Sequence, residues 1–174
     1  MYKLNGVMYS AEEIKSKVKE LAKQIEIDYS GEELLVVGIL KGASVFCADL
    51  IREIDLDVRM DFMVVSSYGT STSSSGTVKI IKDLDVDIEG RNVLIVEDII
   101  DSGLTLSNLV AALKTRNPKS LKLCTLLDKP QRRTAKMHVD YVGFVIEDKF
   151  IVGYGIDYAE KYRNLPYIGV VEDI

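Results

Sequence analysis

The sequence predicts an α/β protein built on a mainly parallel sheet with helices on both faces. Two short runs of branched apolar residues, 34–40 and 92–96, lack the polar alternation of a half-solvated strand and so read as strands buried on both sides. Strand-type and helix-type segments alternate, the helices mostly in the first two thirds of the chain, which is the order that crossover helices on a parallel sheet produce. The chain is long enough for such a core: 174 residues, 47% of them apolar, fit one domain over 1–174 that buries roughly 70% of its unfolded surface.

The first element is a helix over 11–28. Ser10 and Glu13 form a capping box that starts it, and Ile14, Val18, Leu21 and Ile25 recur at helical spacing. The buried strand 34–40 follows, bounded by Gly31 and Gly42. Residues 43–54 carry Phe46, Leu50 and Ile54 on one helical face. Val58, Met60, Phe62 and Val64 then alternate with Arg59, Asp61 and Met63 in a half-buried strand that runs into Ser66. From Ser67 and Tyr68 to Gly76 the chain is uncharged and almost wholly Ser, Thr and Gly, the composition of a mobile loop. Residues 77–81 read as a return strand, 92–96 as the second buried strand, and 104–114 as a helix stopped by Asn117-Pro118. Strands over 121–127, 141–146 and 168–171 complete the set.

Composition removes several function classes. The longest apolar run is far short of a bilayer span, and the first six residues do not read as a secretory signal, so we expect a cytosolic protein with no membrane partner. Cys47 and Cys124 lie far apart without a C-x-x-C, which suggests two buried small hydrophobes rather than a disulfide or zinc site. His138 is the sole histidine, so a metal would be held by oxygen. A net charge of -5 argues against broad nucleic-acid binding. Lys129, Arg132, Arg133 and Lys136 form a basic stretch that reads as a solvated face, with RNA binding the alternative, and Glu147-Asp148 reads as a structural turn. There is no dinucleotide fingerprint and no P-loop.

The informative segment is 93–106, VLIVEDIIDSGLTL. An apolar strand ends in adjacent acids, Glu97 and Asp98; a third acid, Asp101, follows; then Ser102, Gly103, Leu104 and Thr105 lead into a helix. Ligands of open α/β sheets bind beyond the carboxyl ends of strands, and amides at a helix start favour an anion. Three crowded acids call for sugar hydroxyls, a hydrated divalent cation, or both. Together these point to a phosphorylated sugar.

This segment resembles the phosphoribosyl-pyrophosphate (PRPP) signature of the type I phosphoribosyltransferases, and the rest of the chain is similar to the hypoxanthine-guanine branch of that family. The resemblance lies in Leu40-Lys41-Gly42-Ala43, Ser67-Tyr68-Gly69, Leu127-Asp128-Lys129-Pro130, Val142-Gly143-Phe144 and the run 148–158. It implies the family fold, with a small hood subdomain and a mobile loop closing over the site. It also implies roles. Glu97 and Asp98 would hold the ribose hydroxyls with Mg2+ nearby, and Asp101, Ser102, Gly103, Leu104 and Thr105 would cradle the 5-phosphate. Asp101 would be the general base. Lys41, Gly42 and Arg163 would face the pyrophosphate, the first pair often through a non-proline cis peptide, and Asp157 would ligate a second Mg2+. Lys129 would contact the purine 6-oxo group, Phe150 would stack on the ring, and the backbone of Ile151 would meet its edge. Ser67 and Tyr68 would belong to the lid.

The implied reaction transfers phosphoribose from PRPP to hypoxanthine or guanine, in a homodimer or homotetramer. Two other readings stand beside it. One is a regulator of this fold that senses PRPP or nucleotides while binding RNA or DNA. The other is the same chemistry with a different acceptor such as xanthine, because a pocket separates small differences by only about 1–3 kcal/mol per group.

Overall fold

The computed structural model describes residues 2–67 and 78–173. Nine strands and three helices are assigned among them: β1 (Tyr2–Tyr9), α1 (Ala11–Asp28), β2 (Leu34–Leu40), α2 (Ser44–Glu53), β3 (Val58–Ser67), β4 (Val78–Lys82), β5 (Asn92–Ile100), α3 (Leu104–Lys114), β6 (Ser120–Asp128), β7 (Tyr141–Val145), β8 (Ile151–Val152) and β9 (Ile168–Asp173). Of the expected lid, Ser67 closes β3, while Tyr68 to Gly76 lies outside the described residues.

The main sheet has six strands in the order β4-β3-β2-β5-β6-β7. All its pairings are parallel except β4 on β3. The alternation of side chains along β2 builds both layers of the core. Leu34 and Val36 join Ile14, Leu21, Phe46 and Leu50 from α1 and α2, whereas Leu35, Val37 and Ile39 meet Leu106, Leu109 and Leu113 from α3. Because β2 pairs with β3 on one side and β5 on the other, the chain runs outward from β2 and then returns across it. That reversal is a topological switch point, the place where an open α/β sheet leaves a crevice.

Two expectations need correcting, and two strands had no counterpart in the sequence reading. The second buried strand does not stop before the acids: β5 continues through Glu97 and Asp98 to Ile100, pairing Glu97 with Thr125, Ile99 with Leu127 and Ile100 with Asp128. A backbone ladder is indifferent to side-chain polarity, so the carboxylates sit inside the strand rather than in a turn after it. The segment 168–171 does not belong to the parallel sheet. It lies in β9, which pairs antiparallel with β1 and β8 in a separate three-stranded sheet of order β1-β9-β8, the counterpart of the implied hood. Finally, β1 and β8 carried no readable pattern, since β8 has two residues and the register of β1 shifts on either side of Val7.

The two sheets are joined by an aromatic contact: Tyr9 at the end of β1 stacks on Phe144 of β7 with ring centroids 3.9 Å apart. Cys47 and Cys124 are buried free thiols, and burial pushes both up, Cys47 to about 12, so neither supplies a thiolate. Among the described residues, no helix is long and apolar enough to cross a membrane.

Candidate active site

The crevice at the switch point is lined by the carboxyl ends of β2 and β5. The Leu40–Lys41 peptide is cis. Beyond it, Gly42 lies so close to Asp98 that a Cβ would fall 1.9 Å from the Asp98 Oδ2 atom, which leaves glycine as the residue that fits. Gly155, at φ +98°, presses from the other side, where a Cβ would fall 2.3 Å from the Gly42 carbonyl oxygen. The end of β2, Asp98 of β5 and the loop after β8 are therefore in direct contact.

Glu97 and Asp98 accept short-range amide hydrogen bonds, Asp98 N to Glu97 Oε1 at 3.3 Å and Ile99 N to Asp98 Oδ1 at 2.9 Å. Burial pushes both carboxyls up, Glu97 further through the neighbouring Asp98 charge. Two such groups side by side are relieved by hydroxyl donors or a cation. Among the described residues no three His, Cys, Asp or Glu side chains converge on one point, so a cation here would share its coordination with substrate oxygens. That fits Mg2+, which commonly takes one or two carboxylates plus phosphate oxygens.

Beyond β5 the chain makes the turn expected for a phosphate. A cleft of about 180 Å³ is lined by Glu97, Asp101, Ser102, Gly103, Leu104 and Thr105 among others. Gly103 adopts φ +73°, and α3 starts after it with no side chain capping its first turn. Leu104 N donates to Ser102 Oγ at 3.3 Å, and the amides of a helix's first turn have no partner within the helix, which suits this cleft to an anion.

At the far end of the crevice Lys129 extends from the end of β6. It is only 5% exposed, with its Nζ 3.4 Å from Asp101 Oδ1 and 3.7 Å from Asp148 Oδ1. Phe150 is 48% exposed and meets Tyr158 edge to face at 5.2 Å, while Ile151 is buried on β8. Asp148, expected in a purely structural turn, instead belongs to this group.

The cations expected beside the leaving group also come together. Lys41 Nζ lies 2.8 Å from Glu160 Oε2, and Arg163 Nη2 lies 3.2 Å from Glu160 Oε1 and 2.9 Å from Asp157 Oδ1. Arg163 also donates to the Gly155 carbonyl at 2.8 Å. Asp157 has its second oxygen on the Glu160 amide, so both of its oxygens are engaged by protein. Glu160 links the two cations: its i,i+3 pair with Arg163 is within reach of a local pattern and is one of the two surface pairings the sequence offers for Arg163, whereas its partner Lys41 is 119 residues away.

The basic stretch is a solvated face only in part: Arg132 and Lys136 are exposed, whereas Lys129 and Arg133 are withdrawn from solvent. Lys129 reaches Asp101 and Asp148, Arg132 pairs with Asp148 at 3.3 Å, and Arg133 pairs with Asp128. Acids thus neutralise three of the four cations, which leaves little free positive charge for a polyanion.

Fold and site together define an open α/β protein with an acid-lined crevice and a glycine turn at its switch point. Comparison with known proteins is consistent with that class. The phosphoribosyl transferase domain model matches residues 8–159. A hypoxanthine-guanine phosphoribosyltransferase of Bacillus subtilis is 59% identical over 169 residues, covering 97% of this chain and 94% of that protein. A bifunctional TilS/HprT protein of Listeria monocytogenes is 56% identical over 169 residues, 97% of this chain, but the chain spans only 26% of its length. The crystal structure of a hypoxanthine-guanine phosphoribosyltransferase from Bacillus anthracis superposes with a TM-score of 0.93 at 54% identity, covering 99% of this chain and 100% of that one. The chain belongs to the phosphoribosyl transferase family.

Proposed function

We propose that the chain transfers the 5-phosphoribosyl group of PRPP to hypoxanthine or guanine, giving IMP or GMP and pyrophosphate, as a cytosolic purine-salvage enzyme. The observation that carries the acceptor class is the Asp101–Lys129 pair, a proton acceptor and a proton donor 3.4 Å apart. A 6-oxopurine presents its N7 and O6 side by side on one edge. Asp101 takes the N7 proton while Lys129 donates to O6, and the N9 lone pair forms the bond to the ribose anomeric carbon. The bond from that carbon to the pyrophosphate oxygen breaks, and its electron pair leaves with pyrophosphate.

Adenine sets an amino group against the Lys129 ammonium, donor against donor, and is disfavoured. Phe150 offers a ring face for stacking, and the Ile151 backbone borders the base. Glu97 and Asp98 hold the ribose hydroxyls, amides and hydroxyls of Ser102 to Thr105 hold the 5-phosphate, and Lys41, Gly42 and Arg163 receive the diphosphate. Glu97 and Asp98 would hold one Mg2+ and Asp157 a second, and the metal would supply charge neutralisation for the departing group.

The test mixes purified protein with PRPP, Mg2+ and each of hypoxanthine, guanine, xanthine and adenine, and measures nucleotide formation. Turnover of the 6-oxopurines, with adenine the poorest acceptor, is expected. The Asp101→Asn variant should lose about 10²- to 10⁴-fold in kcat, the usual weight of a positioned general base. Unchanged kcat would remove that role from Asp101.

A further inference from the structure

Arg133 lies outside the groups assigned above, yet it is the hub of a clasp behind the phosphate turn. Its guanidinium pairs with Asp128 at the end of β6, and both side chains are largely withdrawn from solvent, 17% and 13% exposed. Its Nε donates to the Asp101 carbonyl at 3.2 Å. Its stem packs against Gly103, where an added Cβ would fall 2.9 Å from Arg133 Cδ and 2.6 Å from Met137 Sδ. The next two residues continue the grip, since Thr134 N and Ala135 N both donate to the Ser102 carbonyl, at 3.0 and 3.1 Å.

Every backbone group from Asp101 to Gly103 that faces this segment is thus tied down. The left-handed Gly103 turn that aims the first amides of α3 is held from behind by side chain and backbone at once. A guanidinium suits the task because its planar fork can serve a carboxylate and a carbonyl together, which an ammonium on a flexible stem does poorly. A partly buried ion pair is also worth more for the geometry it imposes than for net stability, and here the geometry it imposes is that of the cradle.

We infer that Arg133 is a positioning residue for the 5-phosphate: anchored on Asp128, it holds the Asp101–Gly103 backbone so that the α3 amides are set for the anion before substrate arrives. It acts through the turn and touches no substrate. The inference rests on the proposed cradle, and on the cost that small misplacements of a positioned group carry.

The test measures binding of two probes by calorimetry, ribose 5-phosphate for the cradle and inorganic pyrophosphate with Mg2+ for the leaving-group side, together with KM values and thermal midpoints. The Arg133→Met variant should weaken ribose 5-phosphate by at least about tenfold, the equivalent of one charge-assisted hydrogen bond, and raise the KM for PRPP in step. Pyrophosphate affinity should change less than about twofold, since its partners lie elsewhere. Arg133→Lys, which keeps the charge beside Asp128 but lacks the second arm, should fall between and provides the reading should Arg133→Met fail to fold. Unchanged ribose 5-phosphate affinity in a folded variant overturns the inference, and so does equal weakening of both probes, which would mark general loosening. If wild-type protein itself ignores ribose 5-phosphate, the cradle reading fails instead, a result separate from either variant outcome.

Discussion

Glu97 and Asp98 are adjacent acids taken largely out of water, and their titration carries a consequence that can be measured. Burial raises both carboxyls above their ordinary values of 4.5 and 3.8, with mutual repulsion adding to Glu97. A carboxyl raised on folding contributes stability below its unfolded pKa and loses it as pH climbs through the folded value, so the ionised pair destabilises the protein on the alkaline side. Ligands that supply hydroxyls or a cation relieve this cost. The rise in thermal midpoint on adding PRPP with Mg2+ should therefore grow with pH across that window, and Glu97→Gln should flatten the growth. A shift of the same size at every pH in wild type would contradict the account. These two acids were legible in the sequence because they adjoin, and so was Asp101 three residues on. Asp148, Arg133 and the link from Glu160 to Lys41 were not, because each depends on residues brought together by the fold.

The β5–turn–α3 unit shows how much an element can declare. Its apolar run, acids, left-handed glycine and helix start are consecutive, so strand, turn and helix were all readable, and only the end of the strand was misplaced, with the ladder continuing through the acids to Ile100. The β2 end is the opposite case. Lys41-Gly42 taken alone is an unremarkable dipeptide, and the need for glycine comes from Asp98 on the neighbouring strand. Gly42→Ala would place a methyl 1.9 Å from the Asp98 Oδ2 atom, so either β2 or the acid must move. Because the same shift displaces Gly155 and the acids proposed for the ribose, kcat/KM for PRPP should fall by roughly 10²-fold, the scale on which misplacement by about 1 Å acts. Steady-state kinetics on the folded variant would show it. A variant with normal kinetics would mean that the contact relaxes without consequence.

At the scale of the whole molecule, the proposed site is shared between the two sheets, with Lys129 at the end of β6 on the main one. The carboxyl ends of the main sheet present the groups proposed for ribose and 5-phosphate, whereas Phe150, Ile151, Asp157 and Arg163 lie on or beside the strands of the small sheet, which itself depends on β1, a strand that the sequence did not disclose. Alternation and helical period report an element that buries one face against its own layer. They are silent on a register-shifted strand whose partners are β9 and, through Tyr9, the ring of Phe144 on β7. That stacked pair is the specific tie between the sheets, and Tyr9 also stands opposite Ile168 in the β1–β9 register. Tyr9→Ala should lower unfolding stability by about 1–3 kcal/mol, from lost apolar burial plus the ring–ring term. Because Phe150 and Ile151 lie beside or on β8 of the small sheet and the proposed phosphate turn lies beyond β5 of the main one, loosening the small sheet should raise the KM for hypoxanthine several-fold while ribose 5-phosphate affinity stays within about twofold, since distant independent sites respond separately. Denaturant unfolding checks the first effect, and steady-state kinetics with calorimetry check the second. Equal losses for both ligands would mean that the two sheets move as one body.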